Sequence, residues 1–173
     1  MTILDEIEAE IPALRRYARA LLRDRQGADD LVQDCLERAL ARRHHWRGDG
    51  PVRNWLFRIL LNRFRDNMRR AGARAYLVPL DAASEPACPG GQETHLALRE
   101  VHEAMGRMPP DQRAALLLVA VEGMSFTEAA EALNVPEGTL SSRLGRARAF
   151  LRQETGQHCD NSSNKRICQD EKR

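Results

Sequence analysis

Residues 125–153 read SFTEAAEALNVPEGTLSSRLGRARAFLRQ, and the fold turns on how this stretch is parsed. Ser125 and Glu128 stand three apart, the spacing of a capping box that fixes a helix start. Ala129 and Ala130 are small enough to let two helices cross closely. Asn134 tolerates the left-handed backbone of a corner, and Pro136 belongs at or near the start of the next helix. Leu133, Val135, Leu140, Leu144 and Ala147 supply one apolar face. A helix of about eight residues, a tight corner and a longer helix have helix-turn-helix spacing.

From Glu137 to Arg152 four arginines stand against one glutamate, a formal +3. A solvated helical hairpin would carry the same apolar face. Cap, corner and basic second helix together favour an element that enters the major groove of duplex DNA. Thr139, Ser141, Ser142, Arg143 and Arg146 then lie near the start of that helix or along its outer face.

Working outward, the rest of the chain is also helical in pattern. Ala, Leu, Arg and Glu dominate the 173 residues, of which only 5% are aromatic. A hydrophobic share of 42% suffices for a core, so the fold class is all-α. Toward the N-terminus of the hairpin, LALREVHEAMGRM predicts a helix, and DQRAALLLVAVEG after Pro109-Pro110 predicts another that stops at Gly123. These make a second block of four helices. Leu4, Ile7, Ile11, Leu14, Ala18 and Leu21 mark an amphipathic helix at the chain start, and Gly27 is read as the break after it. Leu31, Val32, Cys35, Leu36, Ala39 and Leu40 mark a second helix. After the turn RGDGP, with Pro51 as first helical residue, Val52, Trp55, Leu56, Ile59, Leu60 and Phe64 mark a third. The first block is thus a three-helix bundle over residues 3–72.

Between the blocks, YLVPLDAASEPACPGGQETH (76–95) holds three prolines, a Gly-Gly pair, three acids and no Lys or Arg. That is the composition of a flexible linker. The tail from residue 156 is polar and aperiodic and reads as disordered. Domain limits of 1–75, 76–95, 96–155 and 156–173 follow.

The net charge of +2 excludes nothing, so placement decides. On the third helix, Arg53, Arg58, Arg63, Arg65, Arg69 and Arg70 against Asp66 give a formal +5, interleaved with Trp55, Phe57 and Phe64. Aromatic rings beside arginines suit unstacked single strands, where bases stack and phosphates pair. Trp55 fits the core better than such a surface. Trp46, before the turn, is the better base-facing ring. The second helix is opposite in sign: Asp30, Gln33, Asp34 and Glu37 recur at helical spacing, away from the leucines. Acids repel phosphate, so this face is either solvated or docks a basic protein surface.

No phosphate-cradling glycine loop, nucleophile triad or paired carboxylates are evident, so no catalytic residue, no cofactor and no enzyme activity are expected. His44-His45 reads as a solvated helix end. Cys35, Cys88, Cys159 and Cys168 form no C-x-x-C pair and read as free thiols. No metal site is expected; His158, Cys159 and Cys168 make only a weak ligand set. With no apolar run long enough for a leader or a span, no membrane insertion is expected and the cytoplasm is the default.

DDLVQDCLERAL (29–40), WRGDGPVRNWLFRILLNRFRD (46–66) and MPPDQRAALLLVAVEGMSFTEAAEALNVPEGTLSSRLGRARAFL (108–151) together resemble the sigma-70 family of bacterial transcription initiation factors, and within it the small two-domain extracytoplasmic-function (ECF) subgroup. The likeness covers residues 5–153. It implies a region-2 domain followed by a region-4 domain. It further implies core RNA polymerase as a partner, through the β′ clamp helices and the β subunit, with Asp30, Leu31, Gln33 and Asp34 on the docking helix. Capture of the melted −10 promoter element falls to Trp46, Asp49, Arg58, Asn62 and Arg65. Reading of the −35 duplex falls to Thr139, Ser141, Ser142, Arg143 and Arg146. An anti-sigma factor is a further implied partner. One departure is Gly145, where relatives often carry a bulkier side chain; with Ser141 short as well, the specificity burden shifts to Arg146. The rival reading is a stand-alone helix-turn-helix regulator, against which the acidic stripe and the third helix speak.

Overall fold

The structure is a computed structural model, and it describes residues 2–46, 48, 50–74 and 92–156. Among them every regular element is helical. In the first block α1 spans Ile3–Leu22, α2 Arg25–Arg42 and α3 Val52–Arg74, with a single 3-10 turn at Arg43–His45. In the second, α4 spans Gln92–Arg107, α5 Pro110–Ala120, α6 Phe126–Leu133 and α7 Glu137–Glu154. Helix α4 begins inside the stretch read as linker. The remainder of that stretch and the tail from residue 157 lie outside the described residues.

Local chemistry sets the helix ends. Thr2 and Asp5 form a reciprocal capping box that opens α1. The break between α1 and α2 is not at Gly27, as the sequence suggested. It falls first at Arg23, which takes a left-handed φ of 60°. Asp24 follows as the cap of α2, its carboxylate accepting from the Gln26 and Gly27 amides at 3.1 and 2.8 Å, two donors that the helix itself leaves without partners. Gly27 sits in the first turn of α2, where a Cβ would stand 2.5 Å from Asp24 Oδ2. Its missing side chain makes room for the cap. Similarly, Pro51 precedes α3 by one residue, and Pro110 is the N1 residue of α5. The predicted capping box at Ser125/Glu128 and the left-handed corner at Asn134 (φ 50°) both form.

The first block packs around Leu14, Tyr17, Leu21, Leu31, Cys35, Leu56, Phe57, Leu60 and Leu61, all buried. The Tyr17 and Phe57 rings meet edge to face, 5.2 Å apart, a geometry that aromatic quadrupoles favour. The Cys35 thiol donates to the Leu56 carbonyl at 3.4 Å, and burial pushes its pKa up to about 12. Two residues of the predicted stripes are exposed: Leu4 and Leu40 lie at helix ends, beyond the reach of the bundle. In the second block Leu118, Leu133, Leu140 and Leu144 form the centre. Arg107 of α4 pairs with Glu154 of α7 at 2.6 Å.

The two blocks share one continuous core. Helix α3 packs along α6, and α1 along α5. Small side chains allow this: Ala129, Ala130 and Ala132 of α6 are buried. The Tyr17 hydroxyl donates across the boundary to the Ala114 carbonyl at 3.0 Å. At the other end, the Arg23 guanidinium lies over Gly106 of α4, where a Cβ would meet Nη1 at 1.4 Å. Arg23 Nε donates there to His102 Nε2 at 3.3 Å.

Candidate nucleic-acid and protein interfaces

Helix α2 turns its apolar side to α1 and α3 and so presents the opposite side outward. Asp30 is exposed and accepts from Gln26 Nε2 at 3.2 Å. Gln33 is exposed one turn on and donates to Glu37 at 3.0 Å. Asp34 pairs with Arg63 of α3. Leu31 is buried in the core and underpins the ridge from behind. The outward polar face is therefore Asp30, Gln33 and Glu37, with Asp34 braced against a cation of the bundle.

Helix α3 divides its arginines. Arg58 and Asn62 are exposed one turn apart. Arg65 is half-buried and donates to the Leu133 carbonyl at the end of α6; burial pulls its pKa below the ordinary arginine value. Arg53 is held by Glu10 and Glu122, and Arg69 by Asp66. The formal +5 thus overstates the charge that α3 offers to a nucleic acid. Its rings are also less available than the interleaving suggested: Phe57 and Phe64 are core residues, each no more than 2% exposed, because both fall on the stripe that packs the bundle. Trp46 lies half-buried against Trp55 with ring centroids 5.5 Å apart. Asp49 lies outside the described residues. The turn around it has left-handed φ at Gly48 and Gly50, 76° and 95°.

On α7, Ser141, Ser142 and Arg146 are exposed and Thr139 is half-buried. Arg146 Nη2 donates to Ser142 Oγ at 2.8 Å, which draws the guanidinium along the outer face. Arg143 behaves differently. Its side chain is 19% exposed and it donates to Asp111 at the start of α5, at 3.1 Å. Around Gly138 and Gly145 a Cβ would meet nothing within 4 Å, so the outer face is low and open at both. Thr127 donates to Glu137 at 2.7 Å and ties the start of α6 to the start of α7.

Sequence reading passed over Glu122. Its carboxylate is fully buried and accepts from Arg16 Nε and Nη2 at 3.1 and 2.7 Å, and from Arg53 Nη2 at 2.7 Å. The only signal was a lone acid at the end of the apolar run LLLVAVE.

Two family models match the chain: the Sigma2 domain of PhyR over residues 7–61, and Sigma-70, region 4 over residues 98–151. The ECF RNA polymerase sigma factor EcfG of Rhodopseudomonas palustris is 37% identical over 87% of this chain and 83% of its own length. The ECF RNA polymerase sigma factor SigM of Mycobacterium tuberculosis is 40% identical over 80% of this chain and 69% of its own. In structure, the sigma factor RpoE co-crystallised with the anti-sigma factor NepR from Bartonella quintana superposes with a TM-score of 0.76 at 31% identity, covering 89% of this chain and 96% of that one.

Proposed function

The chain belongs to the ECF sigma factors of RNA polymerase, which direct the polymerase to promoters, and from that premise we propose how its surfaces divide the work. The ridge of α2, with Asp30, Gln33 and Asp34 over a buried Leu31, docks the basic clamp helices of core polymerase. The corner between α2 and α3, with Trp46 and Asp49, and the exposed Arg58 and Asn62 capture the unstacked −10 strand. Arg65 joins them once released from Leu133. The outer face of α7 reads the −35 duplex through Ser141, Ser142 and Arg146, with Thr139 and Arg143 near phosphate.

The single observation that carries this division is the opposed polarity of α2 and α7. Acids stand on the helix meant for protein, and Arg146 lies along the one meant for duplex. Each site alone is weak. Joined in one chain and held at fixed spacing by polymerase, they act as an effective concentration. A base flipped into the −10 corner offsets unstacking of about a few kcal/mol and keeps the strand open. The work is done in the cytoplasm, without cofactor and without catalysis by this chain. An anti-sigma factor regulates it, a reading supported by the relative solved in complex with one.

Run-off transcription with purified core polymerase on genomic fragments tests the reading. Start-site selection appears only when the chain is added; its absence at saturating chain concentration removes the proposal.

A further inference from the structure

We propose that the closed arrangement of the two blocks is a self-inhibited state of this chain, latched by the buried Glu122 carboxylate between Arg16 and Arg53. The inference rests on the functional reading above.

Glu122 is the buried charged residue among those described, and the partners of its carboxylate come entirely from the other block. Arg16 approaches from α1 and Arg53 from α3. Arg53 Nη2 donates to the Glu122 backbone carbonyl as well, at 3.0 Å, and Nη1 to Glu10 at 3.2 Å. Its guanidinium also lies over the Phe57 ring, 5.4 Å from the centroid, where the ring quadrupole attracts a cation. One acid thus gathers two helices of the first block onto the turn after α5. Three further bonds run in the same direction, with the donor in the first block and the acceptor in the second: Tyr17 to Ala114, Asn54 to Glu128 and Arg65 to Leu133.

Closure conflicts with promoter reading on two counts. First, Arg65 is engaged by the Leu133 carbonyl and is withheld from DNA. Second, α3 and the α6–α7 hairpin are fastened into one body. The −35 and −10 elements lie about 25 base pairs apart, roughly 85 Å along B-DNA. A compact chain of this length has a radius of gyration of about 16 Å. A closed chain therefore cannot engage both elements, and opening precedes promoter recognition.

A charged latch suits a reversible switch. An intact buried ion pair is nearly balanced by desolvation, whereas loss of one partner leaves the other charges uncompensated, so closure is shallow yet depends on the Glu122 charge. On opening, all three charges return to water. Polymerase binding to the open form then competes with closure, and its apparent affinity falls by the open fraction.

The test uses the full chain carrying Glu122→Gln, which keeps shape and removes the charge. Small-angle scattering is expected to show a larger radius of gyration than wild type, with unchanged helix content. Core polymerase is expected to bind about tenfold more tightly. Unchanged dimensions overturn the latch; opening without tighter binding overturns the inhibition. A second variant removes the dependence on Glu122→Gln folding. Asn54→Cys and Glu128→Cys, in a background with Cys88, Cys159 and Cys168 replaced by serine, are joined by a short cleavable thiol cross-linker. The cross-linked chain is expected to lose promoter-directed transcription at least about tenfold and regain it on cleavage. Equal activity while cross-linked overturns the proposal. Start-site selection by the wild-type chain at saturating concentration reports the functional reading alone, so the two failures are distinguishable.

Discussion

Arg143 and Arg146 stand three residues apart on one helix and look alike in the sequence. The fold separates them. Asp111, 32 residues earlier, reaches Arg143 and turns it into a brace between α5 and α7, whereas Arg146 is exposed with Ser142 as its rest. No local pattern announces a partner that distant, so a sequence reading assigns both to DNA. Arg146→Ala is expected to cost about 1–3 kcal/mol of −35 duplex binding and to relax preference at one base position. Arg143→Ala is expected to lower the melting temperature of the chain and to weaken all duplexes alike. Fluorescence titration with a set of single-base variants separates the two. Glu122 teaches the same lesson more sharply: its partner Arg16 is 106 residues away, and nothing near it in the sequence suggests a buried carboxylate.

At the scale of elements the sequence is more informative, because caps and stripes are local. The α6 start was legible since Ser125 and Glu128 bond each other: the Ser125 amide reaches Glu128 Oε2 at 2.9 Å and the hydroxyl at 2.7 Å. Those bonds hold the Glu128 carboxyl below its ordinary pKa. Their contribution is therefore complete above that ordinary value and is lost as pH falls through the depressed one. Ser125→Ala is expected to cost about 1 kcal/mol in thermal or urea unfolding at neutral pH. The α1–α2 break was misplaced because glycine is the usual breaker, while here an arginine takes the left-handed position and aspartate the cap. On α2 the acidic face was legible from its period alone. Asp34 is a poor residue with which to test it, since reversing its charge also sets it against Arg63. Asp30 is exposed and paired only with Gln26 among the contacts seen. Asp30→Arg is expected to abolish core polymerase pull-down while leaving circular dichroism unchanged.

For the whole molecule, two helical blocks could be read from the sequence, but their closure could not. Helix stripes specify which side of each element is apolar; they do not say that α6, with its three buried alanines, will lie on α3 rather than against solvent. The far end of this closure carries a proton-sensitive contact. His102 faces Arg23 from α4, with Glu103 beside it on the same helix. Burial, and then Arg23, pull the imidazole pKa below its ordinary value of 6.5. Neutral His102 accepts the Arg23 bond; protonated, it opposes it. The stabilisation is thus complete above the ordinary value and weakens as pH falls through it, toward the depressed one. Scattering just above neutrality and again in mild acid, below the ordinary imidazole value, is expected to show expansion in acid. His102→Gln is expected to flatten that dependence.

The two neighbouring indoles, tilted 34° to one another, offer a practical return. The chain has two tryptophans, Trp46 in the corner between α2 and α3 and Trp55 in the first turn of α3, ring against ring. Tryptophan emission from the unlabelled protein, excited at wavelengths tyrosine does not absorb, therefore originates at one address. If the corner takes the melted strand as proposed, its arrival is expected to quench or shift that emission, and duplex binding at α7 is expected to leave it unchanged. Strand capture can be timed by stopped-flow optics against a signal that the other event does not touch.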